Sequence, residues 1–97
     1  MKVIESKMVH AVKYGQHFKR NNTEVWPGGD VWLHGNHIAT VHPNGIVTVN
    51  IRTLRQWPTV TTKSRLRALG VPVYQRGYNT YIGEQEIHDI PSDWIDV

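Results

Sequence analysis

Residues 31–51 read VWLHGNHIATVHPNGIVTVNI, and this stretch decides the fold. Apolar and β-branched side chains alternate through Val31–His34, His37–Pro43 and Ile46–Ile51, the period-two pattern of half-buried strands. Gly35-Asn36 and Asn44-Gly45 separate the three runs. Both pairs tolerate positive φ and therefore suit two-residue hairpin turns. A three-stranded antiparallel meander follows. With two-residue loops, Leu33 faces Ile38, Val31 faces Thr40, Thr40 faces Val49, and His42 faces Val47. One face then carries Val31, Leu33, Ile38, Thr40, His42, Val47, Val49 and Ile51. The other carries Trp32, His34, His37, Ala39, Val41, Pro43, Ile46, Thr48 and Asn50.

Upstream, Thr23–Trp26 reads as a short strand closed by the turn Pro27-Gly28-Gly29-Asp30. Gln16–Thr23 is polar and reads as a loop. Glu5–Tyr14 reads as a helix, with Ile4, Met8, Ala11 and Val12 at helical spacing, Ser6 as cap and Gly15 as stop. Val9, Ala11 and Lys13 also alternate as they would in a strand. Downstream, Arg52–Thr59 is a connector containing Trp57-Pro58. A short helix over Thr62–Leu69 follows, capped by Thr61 and ended by Gly70 and Pro72. On it Leu66 and Leu69 face the sheet, while Lys63 and Arg67 lie four apart on an exposed side with Arg65 nearby. Val71–Gln75 and Asn79–Ile82 form a second hairpin around Arg76-Gly77. The fold class is α+β: a small antiparallel sheet, the meander plus a C-terminal hairpin, with one or two short helices in a single domain over 1–97.

Composition limits the chemistry. The chain has 97 residues and no Cys, which excludes disulfides, thiolate metal sites and a cysteine nucleophile. No apolar run is long enough to span a membrane and the first residues lack a signal peptide, so a cytoplasmic protein is expected. The net charge of +3 conceals a division: residues 1–83 hold all eleven Lys and Arg and three acids, a balance of +8, while residues 84–97 hold five acids and no Lys or Arg, a balance of −5. Ile87, Ile90, Trp94 and Ile95 are the side chains that would dock this acidic end onto the body.

The segment Thr59–Leu66, TVTTKSRL, resembles small accessory proteins of tailed bacteriophages that carry a T-V-T-T-K-x-R motif before a hydrophobic residue. In that pattern the motif follows strands containing a G-N-x-I turn, here Gly35–Ile38, and precedes a V-x-Q strand, here Val73–Gln75. The resemblance spans Thr23–Ile82, and Trp57-Pro58 and the acidic end stand outside it. It implies a phage origin and expression in the host cytoplasm, and it supports a binding role indirectly, since many small phage accessory proteins act by binding and inhibiting a host component. It assigns no catalytic residue.

Residue chemistry points to three functional classes. Protein binding ranks first: four Trp and four Tyr exceed the needs of so small a core, and aromatic and Arg side chains dominate interface energetics. Trp32, Trp57 and Trp94 are the anchors, with His34 and His37 beside Trp32, and a host protein is the expected partner. A homodimer through a sheet edge or the Trp32 face is the other possibility. Trp26, next to Pro27, reads as structural. Nucleic-acid binding is the alternative, with Lys63, Arg65 and Arg67 on the helix, Arg52, Arg55 and Arg76 near it in sequence, and Tyr78 for base stacking. A small metal-dependent enzyme is third. His10, His17, His34, His37, His42 and His88 are too scattered to specify a metal site, no serine sits in a nucleophile elbow, and Gly28-Gly29 lacks the rest of a phosphate loop. No cofactor, metal ligand or catalytic residue is therefore expected.

Overall fold

The computed structural model describes residues 2–97. The chain runs α1 (Val3–Tyr14), β1 (Phe18–Arg20), β2 (Thr23–Trp26), β3 (Asp30–Leu33), β4 (Asn36–Val41), β5 (Val47–Asn50), α2 (Ile51–Gln56), α3 (Val60–Ala68), β6 (Val73–Arg76), β7 (Asn79–Ile82), β8 (Gln85–Glu86) and β9 (Trp94–Asp96), with a 3₁₀ turn at Ile87–Asp89. Six antiparallel strands form one sheet in the order β1-β2-β3-β4-β5-β9, and β6-β7-β8 form a second. The fold is a small α+β domain. No described helix is long and apolar enough to cross a membrane.

The helices cover one face of the larger sheet. Val25, Val31, Leu33, Ala39 and Val49 point into this layer and meet Met8, Ala11, Leu54 and Leu66, all buried. Helix α1 begins two residues before the expected Glu5. Lys2 is its N-cap and makes no side-chain cap bond, so Ser6 lies inside the first turn; Gly15, at φ 65°, ends it.

The meander is present, but both turns differ from the expected ones by one residue. Leu33 pairs with Asn36, so the first loop is His34-Gly35, with φ of 52° and 77°. Both central residues of this turn take positive φ, as a type I′ turn requires. Trp32 pairs with His37 and Val31 with Ala39, which leaves Ile38 as the extra residue of a bulge and buries Ile38 and Ala39 together. At the other end Val41 pairs with Val47, and His42 N–H donates to the Ile46 carbonyl at 2.9 Å, so Pro43-Asn44-Gly45 is a three-residue loop. These shifts place Thr40 and His42 on the side away from the core, the reverse of the expected face, and bring Ala39 and Val41 toward it.

Three further elements depart from the sequence reading. Phe18–Arg20, expected as loop, pairs with Thr23–Val25 across a turn in which Asn21 takes φ 53°. Ile51–Gln56, expected as strand end and connector, is a helix because Asn50 caps it, its side chain accepting from Thr53 N–H at 3.0 Å. Helix α3 starts at Val60, capped by Thr59, not Thr61; the Thr59 hydroxyl accepts from Thr62 N–H at 3.1 Å. Gly29 marks a close approach of two backbones: a Cβ there would lie 2.0 Å from the Val41 carbonyl oxygen, at φ +93°.

The acidic segment is part of the sheet. Ile87 and Ile90 are buried, and β9 pairs with β5, Trp94 opposite Asn50 and Asp96 opposite Thr48. The Arg55 guanidinium holds the approach to this strand, donating to the carbonyls of Ile87 (3.1 Å) and Ile90, and pairing with Asp93 at 3.4 Å.

Candidate functional site

The face of the six-stranded sheet opposite the helices has no layer over it, and strand alternation loads it with aromatic and histidine side chains. Cross-strand pairing sets Trp32 beside His37 and carries Trp94 next to Asn50. The Asn50 amide donates to the His37 carbonyl at 2.9 Å, tying the two strands. The His37 ring therefore stands between two indoles, 4.9 Å from Trp32 at 30° and 5.3 Å from Trp94 at 49° between centroids and planes. At the far side of the sheet Trp26 lies 4.4 Å from the His17 ring.

Hydroxyl relays fix two of the histidines. Thr40 donates to Asp30 Oδ1 at 2.6 Å and lies 3.0 Å from His37 Nε2. Thr48 donates to Asp96 Oδ1 at 2.6 Å and lies 2.7 Å from His42 Nε2. A hydroxyl has one proton to give, and the carboxylate takes it. Each threonine thus accepts from its histidine, which fixes the proton on Nε2 in both rings. His17 Nε2 pairs directly with Glu24 Oε2 at 2.9 Å. The outcome is an open surface of indole rings, with Asp30 and Asp96 held by threonine hydroxyls and Glu24 by the His17 imidazole.

The expected protein-binding residues fall in two places. Trp32, His37 and Trp94 come together on this face. His34 does not touch it in the expected way: as a turn residue it reaches Asn22 instead, its Nε2 3.3 Å from Asn22 Nδ2. His34 and Trp57 line a separate cavity of about 310 Å³ with Leu33, Ile38, Thr59 and Thr62. Trp26, read from sequence as structural, is 47% exposed on the open face. The alternation of Glu24 and Trp26 against buried Thr23 and Val25 was the available signal.

The basic helix is not the wet surface its sequence suggests. Lys63 and Arg65 are buried, 4% and 5% exposed. Lys63 Nζ donates to Gln75 Oε1 at 2.6 Å, and Arg65 bonds Glu5 and Thr23. The three-residue spacing from Lys63 to Leu66 and the adjacency of Arg65 place these charges at the seam where α3 meets α1 and β6, which sequence spacing alone cannot distinguish from solvent. Arg67 is exposed but donates to the Val73 carbonyl at 3.1 Å, and Arg55 is engaged with the C-terminal segment. Arg52 and Arg76 are exposed and Tyr78 stands fully in solvent at a hairpin tip. On the same hairpin Tyr74 and Tyr81 stack, centroids 5.5 Å apart at 14°.

Burial and close partners shift the pKa values of Lys63, Glu5 and Glu86. Burial lowers the Lys63 pKa, with the Arg67 charge adding to it. Burial alone would raise Glu5, but hydrogen bonds from Ser64 and Arg65 and the Arg65 charge hold its carboxyl below the ordinary range. The His88 side-chain hydrogen bond lowers Glu86. Among the described residues no three His, Asp or Glu side chains converge as a metal site would require.

The family model described as Kyanoviridae Gp96 protein matches residues 1–96, nearly the whole chain. No curated protein and no solved structure gives a significant match.

Proposed function

The chain belongs to the Kyanoviridae Gp96 protein family and is a phage protein, and we propose that it is a non-catalytic accessory protein that binds a host protein in the host cytoplasm, inhibiting or redirecting it. One observation carries this reading. Trp26, Trp32 and Trp94, three of the four tryptophans, share a single sheet face that no helix covers. Trp26 and Trp94 are exposed and Trp32 is half-buried; indoles on an open sheet face are the anchors that protein interfaces favour, and a monomer has little structural reason to leave them uncovered. The relays of His37 and His42 hold the polar rim in one geometry, so binding loses little side-chain entropy.

The test is capture of a host protein by the tagged full chain, followed by reconstitution with that purified protein. A stoichiometric complex should form, weaken at least tenfold with Trp94→Ala or Trp26→Ala, and survive Trp57→Ala. A complex indifferent to Trp94 and Trp26 overturns the reading.

Nucleic acid is the second reading, and the second sheet favours it over the helix. Stacked Tyr74 and Tyr81, with Tyr78 and Arg76 at the tip, form an exposed platform suited to unpaired bases. Salt-sensitive binding of single strands, lost in Arg76→Ala and Tyr78→Ala, would support it; no binding at low salt would end it.

A further inference from the structure

The open sheet face differs from the rest of the molecule in charge as well as in aromatic content. Strand register places Glu24, Asp30 and Asp96 on it, and one basic residue, Lys19, beside Glu24. With histidines neutral, those four groups balance to −2 in a chain whose net charge is +3. Every other Lys and Arg sits in the helices, at their ends, on the opposite side of β1, or in the second sheet. The protein thus presents an acidic aromatic face on a basic body.

We propose that this face binds a basic segment of its protein partner, with arginine or lysine side chains laid across Trp94 and Trp32 and their charges paired to Asp30 and Asp96. This rests on the open face being the binding surface and specifies the chemistry of what it binds. Indole rings attract cations through their quadrupole, most strongly where water is excluded. The carboxylates are positioned for the same cation. Asp30 and Asp96 each present Oδ1 to a threonine, and Oδ2 of each takes no hydrogen bond from the described residues. Each is therefore held by one oxygen with the other available to a guanidinium or ammonium group. An acidic partner or a phosphate backbone would meet like charge here, which selects against both.

The experiment titrates the isotopically labelled full chain with two unstructured peptides of equal length, one Arg-rich and one Glu-rich, and follows the indole and backbone N–H signals. The Arg-rich peptide should shift Trp32 and Trp94 while leaving Trp57 in place, and salt on the order of 0.5 M should weaken it. Asp30→Asn combined with Asp96→Asn should reduce its affinity about tenfold, as should Trp94→Ala alone. Thermal melts of each variant confirm folding, and Lys19→Ala serves as a folded variant in which affinity should rise. Equal shifts from both peptides, no shift at the open face, affinity unchanged in the Asn variant, or a face already covered by a second copy of the chain in sedimentation would each overturn the proposal. Failure here with Trp94-dependent capture of a host protein intact removes the basic segment but leaves the face as the binding surface. Failure of both removes the face.

Discussion

Arg65 Nη1 sits 2.8 Å from Glu5 Oε2, with the two side chains 6% and 5% accessible, where α1 meets α3. Each partner is bonded further: Ser64 also donates to Glu5 Oε2, and Arg65 Nε donates to Thr23 Oγ1 at 3.0 Å. Breaking a buried pair strands a charge in a low-dielectric site, at a cost of about 3–5 kcal/mol. Glu5→Ala and Arg65→Ala are each expected to destabilise by about that amount in urea unfolding. The double variant should lose much less than the sum. Additive losses would show that the two charges do not act as a pair.

The same carboxyl sets an acid limit on stability. Although burial opposes its ionisation, hydrogen bonds from Ser64 and Arg65 keep the folded pKa of Glu5 below the ordinary value of 4.5. A group depressed in the folded state stabilises fully above its unfolded value and loses that contribution as pH falls through the folded one. Unfolding free energy should therefore decline as pH drops below the ordinary carboxylate range, and Glu5→Gln should flatten that decline. An identical acid limb in wild type and variant would refute it.

The parts of this fold legible in the sequence are those decided by alternation. Val31, Leu33, Val47 and Val49 lie on the core side as alternation predicts, because a period of two needs no knowledge of the turn. Thr40 and His42 stand on the other side because of the bulge at Ile38 and the length of the second loop, neither of which alternation reveals. Moving the first turn to His34-Gly35 changes the register by two and keeps every residue on its face, whereas the unpaired Ile38 and the extra loop residue Pro43 each change it by one. Asn50 ending a strand and capping a helix at once hid α2, since both roles suit the same residue. On the candidate site, the sequence offers Trp32, His37 and Trp94 as candidates one by one, but their convergence requires β9 to pair beside β5, a contact 44 residues and more apart in the chain that local pattern does not encode. The burial of Lys63 and Arg65 was illegible for the same reason, as their partners Gln75 and Glu5 come from other elements.

Lys63 is a charge whose removal should be tolerated. Burial, with the Arg67 charge in support, lowers its pKa below 10.5, and Gln75 is its one described hydrogen-bond partner. The folded state thus releases this proton more readily than the unfolded one, so stability should rise as pH climbs from the folded value toward 10.5. Lys63→Met keeps the stem and removes the charge, and is expected to match or exceed wild-type stability at neutral pH while abolishing the alkaline gain. Melts at neutral and alkaline pH measure this; a variant destabilised by more than about 2 kcal/mol would contradict it.

Arg55 fastens the C-terminal strand. Its guanidinium donates to the carbonyls of Ile87 and Ile90 and pairs with Asp93, while Val97 and Val47 exchange backbone bonds of 2.9 and 3.2 Å at the far end of the same strand. Arg55→Ala leaves these carbonyls to water and should cost about 1–3 kcal/mol. Its distinctive signature is local: hydrogen exchange at Val47 and Val97 should accelerate more than at Val31 or Val49-facing core amides. Uniform acceleration across the sheet would indicate general destabilisation and not loss of a clamp.

Trp32 carries the one side-chain polar atom that is buried without a partner among the described residues, its indole Nε1–H. An unmade hydrogen bond of this kind costs about 1–3 kcal/mol. Trp32→Phe removes the donor and keeps an aromatic ring against His37, though a smaller one. The gain from deleting the orphan and the loss of ring area oppose each other, so the net change should fall within about 1 kcal/mol. Trp32→Ala has no such compensation and should cost about 3–5 kcal/mol. Urea unfolding of the two variants side by side decides the point. If Phe costs as much as Ala, the indole N–H is bonded in solution and the orphan is not a source of strain on this face.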